Sequence, residues 1–207
     1  MKGLLLKDWY VLLKQGRIML VCIALYAVLA AGGNEGMGFF AVLFVAMLPF
    51  WVIGIDERNK WDNLAAAMPY EKKEIVLSRY ILVGSGLIVL IALYLIASLA
   101  KGLLMPQAEA SFHWQYIISI IAIGLIYAAI NLPVIFRLGV EKARLWFIII
   151  TGGIAGGLGV YYSSHSEGSS KVTHFLSTNL WFVMVLAILL FLLSGAISVR
   201  LYEKREF

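Results

Sequence analysis

Six apolar runs, most of them long enough to cross a lipid bilayer, constrain this chain more than any other feature. A membrane-spanning α-helix needs about 17 to 25 mostly apolar residues, and none of the runs shows the strict alternation of a β-barrel. The chain is also 62% hydrophobic and only 14% charged, which is too apolar for a water-soluble domain. The predicted spans are residues 18–31, 37–55, 80–100, 114–136, 146–162 and 180–199. We therefore predict an all-α membrane protein that forms a single transmembrane domain over residues 1–207, with a first span that extends beyond its short apolar run.

The distribution of Lys and Arg predicts the orientation of these spans. Positive side chains favour the cytoplasmic side of a membrane. If both termini are cytoplasmic, only Lys101 and Lys171 of the 17 Lys and Arg residues lie outside. The basic residues then line one membrane face and form no exposed basic domain, which argues against nucleic-acid binding. The expected location is the plasma membrane, crossed several times.

Residues 1–17 have the pattern of an amphipathic helix that lies in the inner membrane interface before the chain bends into the first span. The predicted apolar face contains Leu5, Leu6, Trp9, Leu12 and Leu13, and the predicted polar face contains Lys7, Asp8, Lys14 and Gln15. Leu4 and Val11 fall on the polar side and weaken the pattern. A signal peptide and a simple flank of the first span are the alternatives.

Residue patterns for catalysis or for cofactor binding are missing from the sequence. There is no G-x-x-x-x-G-K-S/T motif for ATP, and the three histidines lie in predicted outer loops without the spacing of a metal site. An ion-coupled pump requires ionisable residues within its spans, and the spans of this chain carry almost none. We therefore expect no catalytic residue, no metal site and no cofactor bound by this chain. Asn131, which precedes Pro133, is the one polar residue expected to perturb a span, by bonding a neighbouring helix or the carbonyl that the proline frees.

A stripe of small residues in the fifth predicted span indicates close helix packing. Gly152 and Gly156, and likewise Gly153 and Gly157, have the small-xxx-small spacing that lets two helix backbones approach. The contact could lie within one chain or between two copies. Both possibilities remain open from the sequence.

The cytoplasmic loop at residues 56–79 is the only long charged segment of the chain. Trp61, Leu64, Ala65 and Met68 recur at helical spacing and form one apolar stripe, and Pro69 is expected to end that short helix. Such a helix, held between two spans, can dock in a groove of another protein or lie on the lipid surface.

The whole chain resembles the permease subunit of ABC-2 type exporters, and the segment between spans two and three carries the most specific part of that resemblance. The corresponding residues are Glu57, Leu64, Met68, Pro69, Lys72, Lys73, Ile75, Arg79 and Tyr80. The family often has Leu before the proline and Lys where Arg79 stands. The resemblance implies that this loop is a coupling helix, with Glu57, Trp61, Leu64, Ala65, Met68 and Pro69 at the contact with an ATPase.

The resemblance also implies the partners. Two copies of a separate ABC ATPase would bind ATP and Mg²⁺, and a second permease chain, identical or related, would complete the membrane part. In size and outer loops the chain is similar to permeases that export amphipathic or antimicrobial peptides, including phenol-soluble modulins, from Gram-positive bacteria. The expected function is therefore the export of amphipathic peptides or lipid-like molecules. The alternative is a membrane immunity or sensor protein that sequesters peptides without transporting them.

Overall fold

Seven helices form the described part of the protein. The computed structural model describes residues 2–34, 36–61, 71–104, 114–164 and 179–203, and this part contains no β-strand. The helices are α1 (Lys2–Gln15), α2 (Arg17–Ala31), α3 (Gly36–Arg58), α4 (Lys72–Leu104), α5 (Trp114–Leu138), α6 (Val140–Ser164) and α7 (Leu180–Glu203). The prediction of an all-α membrane protein is confirmed.

Four helices among the described residues are long and apolar enough to cross a membrane. They are α3, α4, α5 and α7, and the bent pair α1–α2 makes a fifth candidate if it is counted as one span. Helix α6 contains the fifth predicted span, but it is not among these candidates. The count of six spans therefore stays a prediction.

Helices α1 and α2 meet at an angle of 82°, as expected for an interfacial helix that bends into a span. The bend lies at Gly16, where a Cβ atom would come within 2.9 Å of the Leu12 carbonyl oxygen. A larger residue would clash there, so the glycine permits the sharp turn. Helix α2 begins at Arg17 and ends at Ala31, so the expected extension of the first span beyond its apolar run amounts to one residue.

The buried face of α1 differs from the face that the sequence predicted. Leu4, Asp8 and Leu12 are buried against the bundle, whereas Leu6 and Leu13 are exposed. The periodicity placed Leu4 and Asp8 on the polar side. Leu4 and Asp8 pack on the protein instead of facing water, because this surface offers Asp8 a buried cationic partner, whereas the exposed Leu6 and Leu13 agree with the predicted membrane-facing side.

The bundle core lies between α3, α4 and α5, with α2 packed on α3 and α4 and with α7 packed mainly on α5. Two glycines allow close approach here. A Cβ atom on Gly86 would lie 2.9 Å from side-chain atoms of Leu48 and Val45, and one on Gly124 would lie 2.6 Å from Leu87. Together with Gly38 of α3, whose Cβ would overlap the Tyr116 hydroxyl of α5, these glycines form the tight helix contacts between described residues. Helix α6 is more peripheral and packs chiefly on α5.

The two ends of the bundle differ in their content of Lys and Arg. At one end the Lys101 ammonium of α4 donates to the Ala31 and Gly32 carbonyl oxygens, at 3.4 and 3.2 Å, and so caps the C-terminus of α2. All other described Lys and Arg residues belong to the helix ends at the opposite side. This separation is the one that the charge pattern predicted.

Candidate functional site

Four charged side chains meet inside the protein at the basic end of the bundle. The Lys7 ammonium lies 2.8 Å from Asp56 Oδ1 and 3.5 Å from Asp8 Oδ1. Arg79 Nη1 lies 2.5 Å from Asp8 Oδ2, and Arg79 Nη2 donates to Asp56 Oδ2. These residues, Lys7, Asp8, Asp56 and Arg79, are called the ion cluster below. The cluster joins α1 to the last turn of α3 and the second turn of α4.

Asp8 and Arg79 of the ion cluster are removed from solvent, Lys7 is partly exposed, and the four charges balance. Asp8 is fully buried, and Arg79 is only 2% exposed. Two cations face two carboxylates, so no net charge is left inside the protein. Burying ions costs several kcal/mol each, and mutual attraction offsets that cost only with close contacts on both sides. The cluster therefore holds its three helices in one arrangement, since any separation would leave a buried charge without its partner.

Asp8 depends on this attraction more than the other members of the cluster do. Its carboxylate oxygens and Arg79 Nη1 are buried. Among the described residues, none of these atoms forms a hydrogen bond of acceptable geometry. Lys7 and Asp56, in contrast, share a bidentate pair of hydrogen bonds at 2.8 and 2.9 Å. The energy of Asp8 inside the protein is therefore mainly Coulombic, and it depends on the position of Arg79.

Glu57, predicted as an ATPase-coupling residue, contacts another helix of its own chain. Its Oε1 atom accepts a hydrogen bond of 3.3 Å from the backbone N–H of Val140, the first residue of α6. The first N–H groups of a helix have no partner within the helix, and the positive end of the helix dipole attracts a carboxylate. Glu57 therefore links the end of α3 to the start of α6. A charged residue next to a span gives no sequence signal for such a link.

Trp61, the first residue of the predicted docking stripe, is half-buried and packs against the core of the bundle. The Lys7 ammonium lies 4.0 Å from the centroid of its ring, a cation–π contact. The indole N–H is buried without a partner among the described residues. Trp61 thus connects the start of the cytoplasmic loop to the ion cluster. Leu64, Ala65, Met68 and Pro69, the rest of the predicted coupling residues, lie outside the described residues.

The chain leaves α3 through a left-handed residue. Lys60 has φ of +50°, the only positive value at a non-glycine residue in the described part of the chain. A residue of this conformation after the last helical turn stops the helix and redirects the chain. Residues 56–58 of the predicted loop thus belong to the last turn of α3, and the helix has ended by Lys60.

Asn131 and Pro133, the residues predicted to perturb a span, lie in α5. The Asn131 side chain donates to the Tyr127 carbonyl oxygen at 2.8 Å, one turn back in its own helix. The carbonyl that Pro133 frees is that of Ala129, and it accepts a hydrogen bond of 2.6 Å from Ser194 of α7. The hydroxyl of Ser194, and not Asn131, therefore replaces the missing backbone donor, and no sequence pattern indicated this pairing.

The glycine stripe of α6 faces open space where it is described. A Cβ atom on Gly152 or Gly153 would meet no atom within 4 Å, so neither packs against another described helix of the same chain. Gly156 and Gly157 belong to α6, but their surroundings lie outside the described residues. No group of three or more His, Cys, Asp or Glu residues that could hold a metal ion occurs within the described ranges.

A comparison with known protein families matches nearly the whole chain. A sequence model of the family described as ABC-2 family transporter protein matches residues 3–203, which include all seven helices and the cytoplasmic loop. A search of curated proteins found no match. The matched region is nearly the full chain and not one motif, and ABC-2 permeases work with an ABC ATPase. The chain therefore belongs to the ABC-2 family, as the multi-pass membrane permease of an ABC transporter.

Proposed function

We propose that this permease exports amphipathic peptides or lipid-like molecules, and that its 56–79 loop receives the movement of the ATPase. The observation that carries the coupling proposal is the ion cluster. Asp56 and Arg79 are the two end residues of the 56–79 segment, and their side chains are paired in the protein interior. The loop is therefore closed at its base.

A closed base lets the ends of α3 and α4 move as one unit. If an ATPase displaces the loop, the buried pair prevents the ends of α3 and α4 from separating, because separation would leave unpaired ions in a medium of low dielectric. The movement then passes into both helices together, as in shear movements of packed helices. Asp8 and Lys7 extend the same constraint to α1.

The proposed substrate class follows from the interior of the bundle. The buried polar side chains in the middle of the described spans are uncharged, namely Ser98, Asn131, Ser194 and Ser198. An apolar pathway with few polar groups suits an amphipathic molecule better than an ion or a sugar. Export is the proposed direction, and the basic end of the bundle is the proposed cytoplasmic end.

We also propose that two permease chains assemble, identical or related, over two ATPase subunits. The open surface at Gly152 and Gly153 supports this assembly, because small residues at helical spacing allow a second helix to approach closely.

The coupling proposal is tested by Leu64→Asp. If Leu64 docks in a groove of the ATPase, the substitution places an unpaired charge in an apolar contact, where loss of a central anchor typically costs about 2 kcal/mol or more. The variant permease should reach the membrane in normal amount but fail to retain the ATPase during co-purification. Substrate-stimulated ATP hydrolysis should also be lost.

Asp62→Ala is the matched control, since Asp62 lies on the opposite face of the predicted helix. It should leave ATPase capture unchanged. Full capture by Leu64→Asp together with loss by Asp62→Ala would reverse the assigned face, and an effect of neither would place the loop on the lipid surface. Failure of the wild-type chain to retain any ABC ATPase would instead favour the immunity or sensor function.

A further inference from the structure

A cleft separate from the ion cluster opens between α2, α3 and α6. Its volume is about 610 Å³, which is within the range of small-molecule sites, about 300 to 1,000 Å³. Apolar side chains, among them Phe44, Met47 and Phe147, line one part of the wall. Arg58 and Arg144 line another part. The cleft is therefore amphipathic, with both an apolar and a charged wall.

The polarity changes along the length of α3. Phe44, Met47, Trp51 and Arg58 line the cleft and are spaced by three, four and seven residues, so they share one helical face. At about 1.5 Å per residue, the distance along the helix from Phe44 to Arg58 is about 21 Å. One bilayer leaflet with its headgroups is about 20 to 22 Å deep. The cleft wall thus matches a single leaflet, with its apolar part towards the membrane centre and its charged part at the basic end.

The charged wall favours an anion. Arg58 ends α3 and Arg144 lies in the second turn of α6, and both side chains are exposed. Within the described residues, neither takes part in a salt bridge. Two carboxylates also line the cleft, but Glu57 accepts the Val140 N–H at the positive end of α6. With Glu141, the wall holds two guanidinium groups and two carboxylates, so its formal charges balance, and the positive end of the α6 dipole leaves it a partial positive excess.

We propose that this cleft binds an anionic phospholipid of the cytoplasmic leaflet, with phosphatidylglycerol as the occupant. Its phosphate lies between Arg58 and Arg144, because guanidinium groups match phosphate oxygens in charge and geometry. One acyl chain follows Phe44, Met47 and Phe147 towards the centre of the membrane. The site depends on the membrane position of the bundle but not on the ATPase or on the exported molecule.

The test measures which lipid the full-length permease retains. The protein is placed in nanodiscs of equimolar phosphatidylglycerol and phosphatidylcholine with identical acyl chains, and bound lipid is then counted by native mass spectrometry. The wild-type permease should retain phosphatidylglycerol in preference to phosphatidylcholine. The double variant Arg58→Gln/Arg144→Gln should lower retained phosphatidylglycerol by roughly tenfold, because both charge-assisted contacts to the phosphate are removed.

The matched control is Arg137→Gln/Arg200→Gln. It removes the same charge from exposed positions at the same end of the bundle, and neither residue lines the cleft. Retention should stay unchanged in this control. An equal fall in both double variants would reveal general attraction to a basic surface and would overturn the proposal, as would a wild-type protein without preference between the two lipids.

A second measurement distinguishes the lipid from another copy of the chain. Trp51→Cys in a Cys22→Ser background places one thiol in the cleft wall. Under mild oxidation in the membrane this thiol should stay monomeric if lipid fills the cleft. A disulfide between two copies would assign the cleft to a permease interface and would refute the lipid site.

Discussion

Removing Arg79 from the ion cluster should have a large effect on stability that a second substitution partly reverses. Arg79→Met leaves two carboxylates, Asp8 and Asp56, with Lys7 as their only cation. Asp8 is fully buried, and its remaining cation lies 3.5 Å away and is shared with Asp56. Breaking a buried ion pair on one side costs about 3 to 5 kcal/mol. We expect Arg79→Met to lower the free energy of unfolding by this amount.

The second substitution removes the carboxylate that Arg79→Met leaves unpaired. Asp8→Leu/Arg79→Met retains Lys7 and Asp56, which keep their two hydrogen bonds of 2.8 and 2.9 Å, and the residual cluster is neutral. The double variant should be more stable than the sum of the two single effects by about 2 to 3 kcal/mol, since contacting charges are coupled on this scale.

Reversible unfolding of the purified permease in mixed detergent micelles measures these free energies. Arg137→Met provides the control, because Arg137 is an exposed arginine at the same end of the bundle, and it should change stability by less than about 0.5 kcal/mol. If the single effects add within about 0.5 kcal/mol, Asp8 and Arg79 are independent. The idea that the cluster holds α1 and the loop together would then be refuted.

Three further substitutions test other contacts. Ser194→Ala should lower the free energy of unfolding by about 1 to 3 kcal/mol, because it leaves the buried Ala129 carbonyl oxygen without a donor. Pro133→Ala in that background restores a backbone N–H and should recover part of the lost stability. No recovery would contradict this explanation. Lys101→Met removes the cap at the C-terminus of α2 and should cost about 0.3 to 1 kcal/mol, an effect that shrinks in high salt if the helix dipole is responsible. Gly153→Leu should leave stability of the single chain nearly unchanged, because its Cβ position is open, but should weaken crosslinking between copies; unchanged crosslinking would remove α6 from the interface.

Sequence patterns were sufficient to predict the membrane class, the positions of most helices and the separation of charge between the two ends. Apolar run length and the 3.6-residue period are local properties, so they can be seen without knowledge of the packing. The bend before Arg17 was also predictable, because an amphipathic segment and an apolar span need different orientations in a membrane.

The pairing of the charged residues depends on the packing of the helices and was not predictable from the sequence. Asp56 and Arg79 are 23 positions apart, and Lys7 and Asp56 are 49 apart. In the sequence each of them is an ordinary charge beside an apolar segment, where pairing and simple exposure at the interface give the same pattern. The rotation of three helices about their own axes turns these side chains towards each other, and a one-dimensional pattern does not contain that rotation. The same reason applies to Ser194, because its value as a donor depends on the position of α7 beside the proline of α5.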